Sequence, residues 1–249
     1  ITIKGKIYAY DLNYDLINVY KNIQKNKDKL YKYVTKYKNE YDKIKGDLIN
    51  RTPNTLKEAK TSKESYYYWI RNKYNTIDKN TIDKNTIKCS ALFIFLNKTC
   101  FRGMYREGPN GYNVPYGHYK RTPTIINKKE LDNISDLIKD VIFVHSDFNN
   151  SMKKIKKGDF VYLDPPYAPE TNKSFVGYTN NGFNLETHKK LFDNMKKLDK
   201  QKIKFVMSNA KVDLVTDNFK EYKCYNIIAK RAINAKKPNS TTTEVIICN

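Results

Sequence analysis

The sequence predicts an α/β protein built on a mainly parallel, doubly wound sheet. Short apolar runs followed by turn residues recur along the chain, at Ile3 to Tyr10, Val141 to His145, Phe160 to Leu163, Ile203 to Met207 and Glu244 to Cys248. Between the third and fourth of these, Leu185, His188, Leu191, Phe192, Met195 and Leu198 recur at the spacing of one helix face, with Asn184 placed to cap it. Strand, helix and strand in alternation build parallel sheets. Such sheets bind ligands at the carboxyl ends of their strands, where Asp11, Asp147 and Asp164 fall.

The elements follow in order. The first strand ends at Asp11, and Leu16, Val19, Tyr20 and Ile23 mark one stripe of a helix behind it. Residues 25–50 are dense in Lys and Tyr, and Leu30, Tyr33, Val34 and Tyr37 predict a second helix there with a solvated cationic face. In residues 75–88 the run Asn-Thr-Ile-Asp-Lys occurs twice and Asn-Thr-Ile-Lys follows. So short a repeat suits a surface connection and not a solenoid. Ala91 to Leu96 is continuously apolar, which fits a buried helix or a strand. Gly108-Pro109-Asn110-Gly111 reads as a hairpin turn, with Pro115 and Tyr119 on the returning strand.

At 249 residues the chain can bury one sizeable core with an insertion, or two small ones. Its 47 Lys+Arg against 26 Asp+Glu leave +21, a balance that attracts a polyanion. Part of that excess accompanies abundant Asn, Ile and Tyr, as an A/T-rich genome favours, so charge alone does not name the partner. Cys89, Cys100, Cys224 and Cys248 show no C-x-x-C spacing, and His118, His145 and His188 do not cluster with them, which argues against a metal site. Free thiols suit a reducing compartment. With no apolar stretch of about twenty residues, the expectation is an intracellular protein without a membrane span.

The most informative segment is Val161-Tyr162-Leu163-Asp164-Pro165-Pro166-Tyr167, an apolar strand running into an acid, two prolines and an aromatic ring. This set suits N-methylation of an amino group on a flat base. Such a nitrogen is a poor nucleophile because its lone pair is delocalised into the ring. A carboxylate at Asp164, with a carbonyl between Pro165 and Pro166, can accept both amino hydrogens and localise the lone pair by orientation and placed charge. Proline lacks an N–H and has a fixed φ, so the segment holds that carbonyl out of any sheet. Tyr167 offers a face on which a base can stack. The plainer reading is a strand that ends in a Pro-rich turn.

Further segments resemble the Dam-like D12 class (alpha group) of adenine-N6 DNA methyltransferases. Phe95-Leu96-Asn97-Lys98-Thr99-Cys100-Phe101-Arg102-Gly103-Met104-Tyr105-Arg106 and Gly111-Tyr112-Asn113-Val114-Pro115-Tyr116-Gly117-His118-Tyr119-Lys120 resemble that family's target-recognition stretch. Tyr8 to Asn13 fills the place of its acidic ribose-binding strand end. Phe205-Val206-Met207-Ser208-Asn209 and the Arg231 to Glu244 segment resemble its last strands.

The resemblance implies a Rossmann-like S-adenosylmethionine methyltransferase sheet carrying an inserted, mainly helical recognition domain with a β-hairpin. The catalytic domain would span residues 1–49 and 139–249, with the recognition domain at 50–138, and Ala91 to Leu96 would be helical. Asp164, Pro165, Pro166 and Tyr167 would be catalytic. Asp11, Asp147, Phe148 and Asp164 would face S-adenosylmethionine. Phe101, Arg102, Met104, Arg106, Asn113, Pro115, His118 and Tyr119 would face double-stranded DNA, with Arg106 reading a guanine, Phe101 stacking and Met104 filling the space left by a flipped base. Read from its residues alone, His145 is a packed strand residue, and Asp11 is open to a plain alternative, capping the helix that follows.

Three features depart from the family. Arg102 replaces a familiar asparagine, and His118 stands where arginine is usual, which leaves the target open between GATC, CATG and a related palindrome. The family's lysine-bearing motif and Phe-x-Gly-x-Gly cofactor loop are not found, because the sequence starts at Ile1 within the first strand. The expectation is a fragment whose first segment precedes Ile1; the alternative is a noncatalytic DNA-binding relic. Asp-Pro-Pro-Tyr chemistry on RNA adenine, cytosine N4 or protein glutamine is a further alternative. A monomer completes the expectation, and the sequence leaves open whether a companion restriction endonuclease accompanies it.

Overall fold

The computed structural model describes residues 4–77, 87–121, 123–169, 182–230 and 241–249. The chain is mixed α/β and forms two units, residues 1–147 and 148–249. Among the described residues the strands form a parallel pair, a short hairpin and a four-stranded sheet with one parallel and two antiparallel pairings, and not the one mainly parallel sheet expected.

In the first unit, strand β1 (Ile7–Asp11) pairs in parallel with β4 (Val141–His145), so that Asp11 lies opposite His145. Helix α1 (Tyr14–Asp42) starts at Asn13, whose side chain accepts from the Leu16 N–H. The two helices expected here run on from one another as the two segments of α1. The helix is broken at Asn26, where φ −137° and ψ 26° leave the helical region. Both expected apolar stripes survive in one buried face, where Val19, Ile23, Leu30, Val34 and Tyr41 are buried and Leu16, Tyr20, Tyr33 and Tyr37 pack beside them.

That face packs on α4 (Ile87–Thr99), where Ala91, Leu92, Phe93, Phe95 and Leu96 are all buried, so the apolar run at 91–96 is helical as the resemblance implied. One polar bond crosses this contact, from Asn22 Nδ2 to Ser90 Oγ at 2.9 Å. Gln24 ties α1 to the start of β4 by donating to the Ile138 and Val141 carbonyls at 2.6 and 2.8 Å. Two helices without an expectation of their own complete the unit, α3 (Lys63–Thr76), capped by Ser62, and α5 (Lys128–Leu137), capped by Asn127. A single turn, α2 (Leu56–Ala59), precedes α3. The repeat at 75–88 falls largely outside the described residues.

A two-residue antiparallel pair, β2 (Glu107–Gly108) and β3 (Gly111–Tyr112), brackets Pro109-Asn110. The expected returning strand is a correction: β3 ends at Tyr112, and Pro115 and Tyr119 lie beyond it. Pro115 has no N–H to continue a ladder, although its carbonyl accepts from Phe101 N at 2.8 Å.

In the second unit, α6 (Phe148–Met152) precedes β5 (Phe160–Leu163), which pairs in parallel with β6 (Lys204–Ala210) across α7 (Leu185–Lys200). Asn184 caps α7 through the Thr187 N–H at 2.9 Å, as its position suggested. The sheet continues antiparallel through β8 (Thr241–Cys248) to an edge strand β7 (Lys223–Lys230), which carries no apolar-run signal of its own. Leu191, Phe192, Met195 and Leu198 of α7 meet Phe205, Met207, Val245 and Ile247 of the sheet, with Phe219 from a short turn.

Candidate active site and nucleic-acid interface

The ladder between β5 and β6 ends with Leu163 opposite Met207, so the next residues along, Asp164 and Ser208, are side by side. Ser208, buried in the sheet, donates its hydroxyl to Asp164 Oδ1 at 2.6 Å and accepts from the Tyr162 hydroxyl at 3.5 Å. Asp164 itself is exposed. Asn209, fully buried, uses Oδ1 to accept from the N–H of Ala168 and of Ala210, both at 2.9 Å. Pro165 and Pro166 bring no N–H to this stretch, so its backbone is pinned at its far end by a side chain and not by strand pairing.

The Tyr167 phenol donates to Glu244 Oε2 at 3.2 Å, and burial first, with the Glu244 and Asp164 carboxylates and against a hydrogen bond from Ser208, pushes its pKa upward. It therefore stays a neutral donor, tethered through its hydroxyl. Ser208, Asn209 and Glu244 were not singled out as site residues; the signals for them were the end of an apolar strand and the resemblance of both segments to the family's last strands.

Asp11 and Asp147 lie in the first unit at the ends of the paired strands β1 and β4. Asp11 is not the helix cap. Asn13 is, and Asp11 Oδ1 accepts from the Asn13 N–H at 2.6 Å, which aims the carboxylate at the mouth of the helix. The Asp11 carbonyl accepts from Ser146 N at 3.1 Å, bringing the turn that carries Asp147 beside it. His145 is exposed and not packed as expected. Its Nε2 sits 3.0 Å from the Leu12 carbonyl and its ring meets Tyr14 edge-on. Phe148 opens α6 in the second unit, with its ring 5.8 Å from that of Phe183.

Residues 100–119 are held by side chains of α3 and by tyrosines of the segment itself. Tyr67 and Arg71 of α3 both donate to the Val114 carbonyl, at 2.7 and 3.3 Å. Asn75 receives the Tyr112 N–H and returns a bond to the Tyr112 carbonyl, both at 2.9 Å, and so acts as a one-residue strand on β3. Gly111 at φ +89° lies so close to this amide that a Cβ would stand 2.8 Å from Asn75 Oδ1. Tyr112 and Tyr119 hydroxyls reach the Met104 and Cys100 carbonyls at 3.3 and 2.7 Å. Gly117 passes so near the Cys100 carbonyl that a Cβ would sit 2.4 Å from its oxygen.

On this frame Phe101 is exposed, and Arg102 takes the left-handed φ of 55° with its guanidinium 5.1 Å from the Phe101 ring. Met104 packs against the helical core. Arg106 is exposed and braced by Asn113, Nε to Oδ1 at 2.6 Å and Nη2 to the carbonyl at 3.3 Å. His118 is exposed beside the buried Glu64, whose other oxygen holds Arg51 Nε at 2.7 Å.

A family model for D12 class N6 adenine-specific DNA methyltransferases matches residues 2–233, nearly the whole chain. The chain belongs to that family. It is therefore an adenine-N6 DNA methyltransferase, which implies a methyl donor and a DNA substrate. Among its relatives, the type II methyltransferase M.MjaIII of Methanocaldococcus jannaschii is 34% identical, over 98% of this chain and 80% of the relative. M1.LlaDCHI of Lactococcus lactis subsp. cremoris, another type II methyltransferase, is 31% identical, over 98% of this chain and 79% of the relative. A DNA adenine methylase of Serratia marcescens is 26% identical, over 90% and 74%. No helix among the described residues is long and apolar enough to cross a membrane.

Proposed function

We propose that this enzyme methylates N6 of an adenine flipped out of a short palindrome in duplex DNA, with S-adenosylmethionine as the donor. The observation that carries the reading is Asp164, an exposed carboxylate at a strand end with one oxygen tied to Ser208, followed by a Pro-Pro-Tyr stretch whose next residue, Ala168, is pinned by Asn209. Asp164 and the carbonyl between Pro165 and Pro166 accept the two amino hydrogens, which localises the lone pair and aims it. Tyr167, its hydroxyl tethered to Glu244, stacks on the base. A base inside a duplex cannot reach such a shelf, so the target leaves the stack.

S-adenosylmethionine, when bound, supplies an electrophilic methyl group on a sulfonium. Its polar edges need acceptors, and the carboxylates of Asp11 and Asp147, which follow adjoining parallel strands, suit a ribose and an adenine amino group. Phe148 frames that adenine. We further read the sheet as Rossmann-like, carrying an inserted recognition domain at 50–138.

Phe101, Arg102, Met104, Arg106, Asn113, Pro115, His118 and Tyr119 form the DNA-facing set. Arg106 is the reader, since a guanidinium braced by Asn113 is already oriented for a guanine edge. GATC is the expected target and CATG the alternative. The type II names of two relatives support a companion restriction endonuclease as a functional partner of a monomeric, intracellular enzyme.

Methylation-sensitive sequencing of randomised duplexes tests this. Arg106→Ala should relax discrimination at one guanine by about 1–3 kcal/mol while leaving nonspecific affinity nearly unchanged. An identical base preference in parent and variant would remove Arg106 from the reading role.

A further inference from the structure

We propose that Ser208 is a positioning residue for methyl transfer, holding the Asp164 carboxylate in the plane from which its other oxygen receives the target amine. The inference rests on the reading of Asp164 as that acceptor. Three observations carry it. The Ser208–Asp164 contact, at 2.6 Å, has the length of a hydrogen bond from a hydroxyl to an ionised acceptor. A serine hydroxyl has one proton, and of the acceptors near it, the Asp164 carboxylate and the Tyr167 phenol, the carboxylate at 2.6 Å is the stronger, while the Tyr162 hydroxyl lies 3.5 Å away on the acceptor side. Ser208 is only 5% exposed, so water does not readily replace it.

The strand register accounts for the arrangement. Leu163 faces Met207, and one step further the parallel ladder sets a strand-end acid beside a buried hydroxyl. The next residue, Asn209, then fixes Ala168 on the far side of the Pro-Pro pair, so two consecutive residues of β6 bracket the catalytic segment. Without the Ser208 bond, the Asp164 carboxylate turns about a terminal torsion that has broad preferences. Among the described residues no other side chain restrains its Oδ1.

Single-turnover methylation of duplex DNA, with affinities for DNA and S-adenosylmethionine measured in parallel, tests the proposal. Ser208→Ala should slow transfer by about 10- to 100-fold, as expected for a misplaced reacting group, with both affinities within about twofold of the parent. Ser208→Thr keeps the hydroxyl on a residue that suits a strand and should restore most of the rate. In the Asp164→Ala background, Ser208→Ala should cost nothing further, because the two act as one unit. A parental rate for Ser208→Ala overturns the proposal, as does a Thr variant no faster than the Ala variant. If Asp164→Ala itself transfers methyl at the parental rate, the reading beneath the proposal fails. If Asp164→Ala is inactive while Ser208→Ala is not, only the tether fails.

Discussion

Residues 100–119 and the Asp164–Tyr167 segment are both irregular backbone carrying the side chains of interest, yet they are held by different means. The first is fastened by the tips of long side chains. Tyr67, Tyr112 and Tyr119 hydroxyls, the Arg71 guanidinium and the Asn75 amide all end on its carbonyls, and its own ladder is only two residues long on each side. The second is an extension of a sheet, with one short hydroxyl and one amide from the adjoining strand completing what the ladder begins. On the proposed reading, in which residues 100–119 meet DNA, anchors about one hydrogen bond strong, each worth about 1 kcal/mol, let the segment follow varied contours. A segment that orients one nitrogen gains from a rigid strand beneath it.

The contrast predicts opposite responses to pH, the largest effect expected. In the first unit, burial is the leading cause that pushes the phenols of Tyr41, Tyr66, Tyr67, Tyr74, Tyr105 and Tyr112 well upward. The unfolded chain then ionises first, so their stabilisation is full below pH 10 and is lost above it, by on the order of 1 kcal/mol per phenol at pH 11. In the second unit, His188 is fully buried against Phe183 and Phe192, and burial lowers its pKa from 6.5 to about 4. There the unfolded chain takes the proton first. Stability is full above pH 6.5 and falls as pH drops toward 4, by about 2 kcal/mol between pH 7 and pH 5. Urea unfolding followed by hydrogen exchange in each unit checks both limbs. A second unit indifferent to acid, or a His188→Leu variant as acid-sensitive as the parent, would break the comparison.

A smaller effect sharpens it. Arg102 at φ 55° holds a conformation that asparagine tolerates better, and its cation–aromatic contact with Phe101 offsets only part of that strain. Arg102→Asn should therefore raise the unfolding free energy by about 0.5 kcal/mol while weakening DNA binding and reducing its log–log salt slope by about 0.9. Denaturant titration and fluorescence anisotropy at several salt concentrations measure the two. Loss of stability together with affinity would mean that the loop is not strained for function.

The same contrast decides what could be read from the sequence. Strand β5, its Asp-Pro-Pro-Tyr end and helix α7 with its Asn184 cap were legible because they are set by neighbours in sequence. The supports were not. Ser208 lies 44 positions from Asp164, and Tyr67 lies 47 from Val114, and nothing local to a serine or tyrosine announces such a partner. The division of α1 into two segments was legible because each carries its own apolar stripe on either side of Asn26, whereas the returning strand at Pro115 and Tyr119 was read from a turn signal whose ladder stops after two residues. Edge strand β7 escaped because Tyr225, Ile227 and Ile228 remain exposed there, so no alternation with a buried face marks it.

The central claim is that Asp164 orients an adenine N6 amine for methyl transfer. Single-turnover reactions with labelled S-adenosylmethionine and duplex DNA, digested to nucleosides, test it most directly. The parent should deliver label to N6-methyladenosine alone. Asp164→Ala should lose about a hundredfold or more of that rate while binding DNA as the parent does. Label on another base, or a variant that keeps more than about a tenth of the parental rate, would contradict the account.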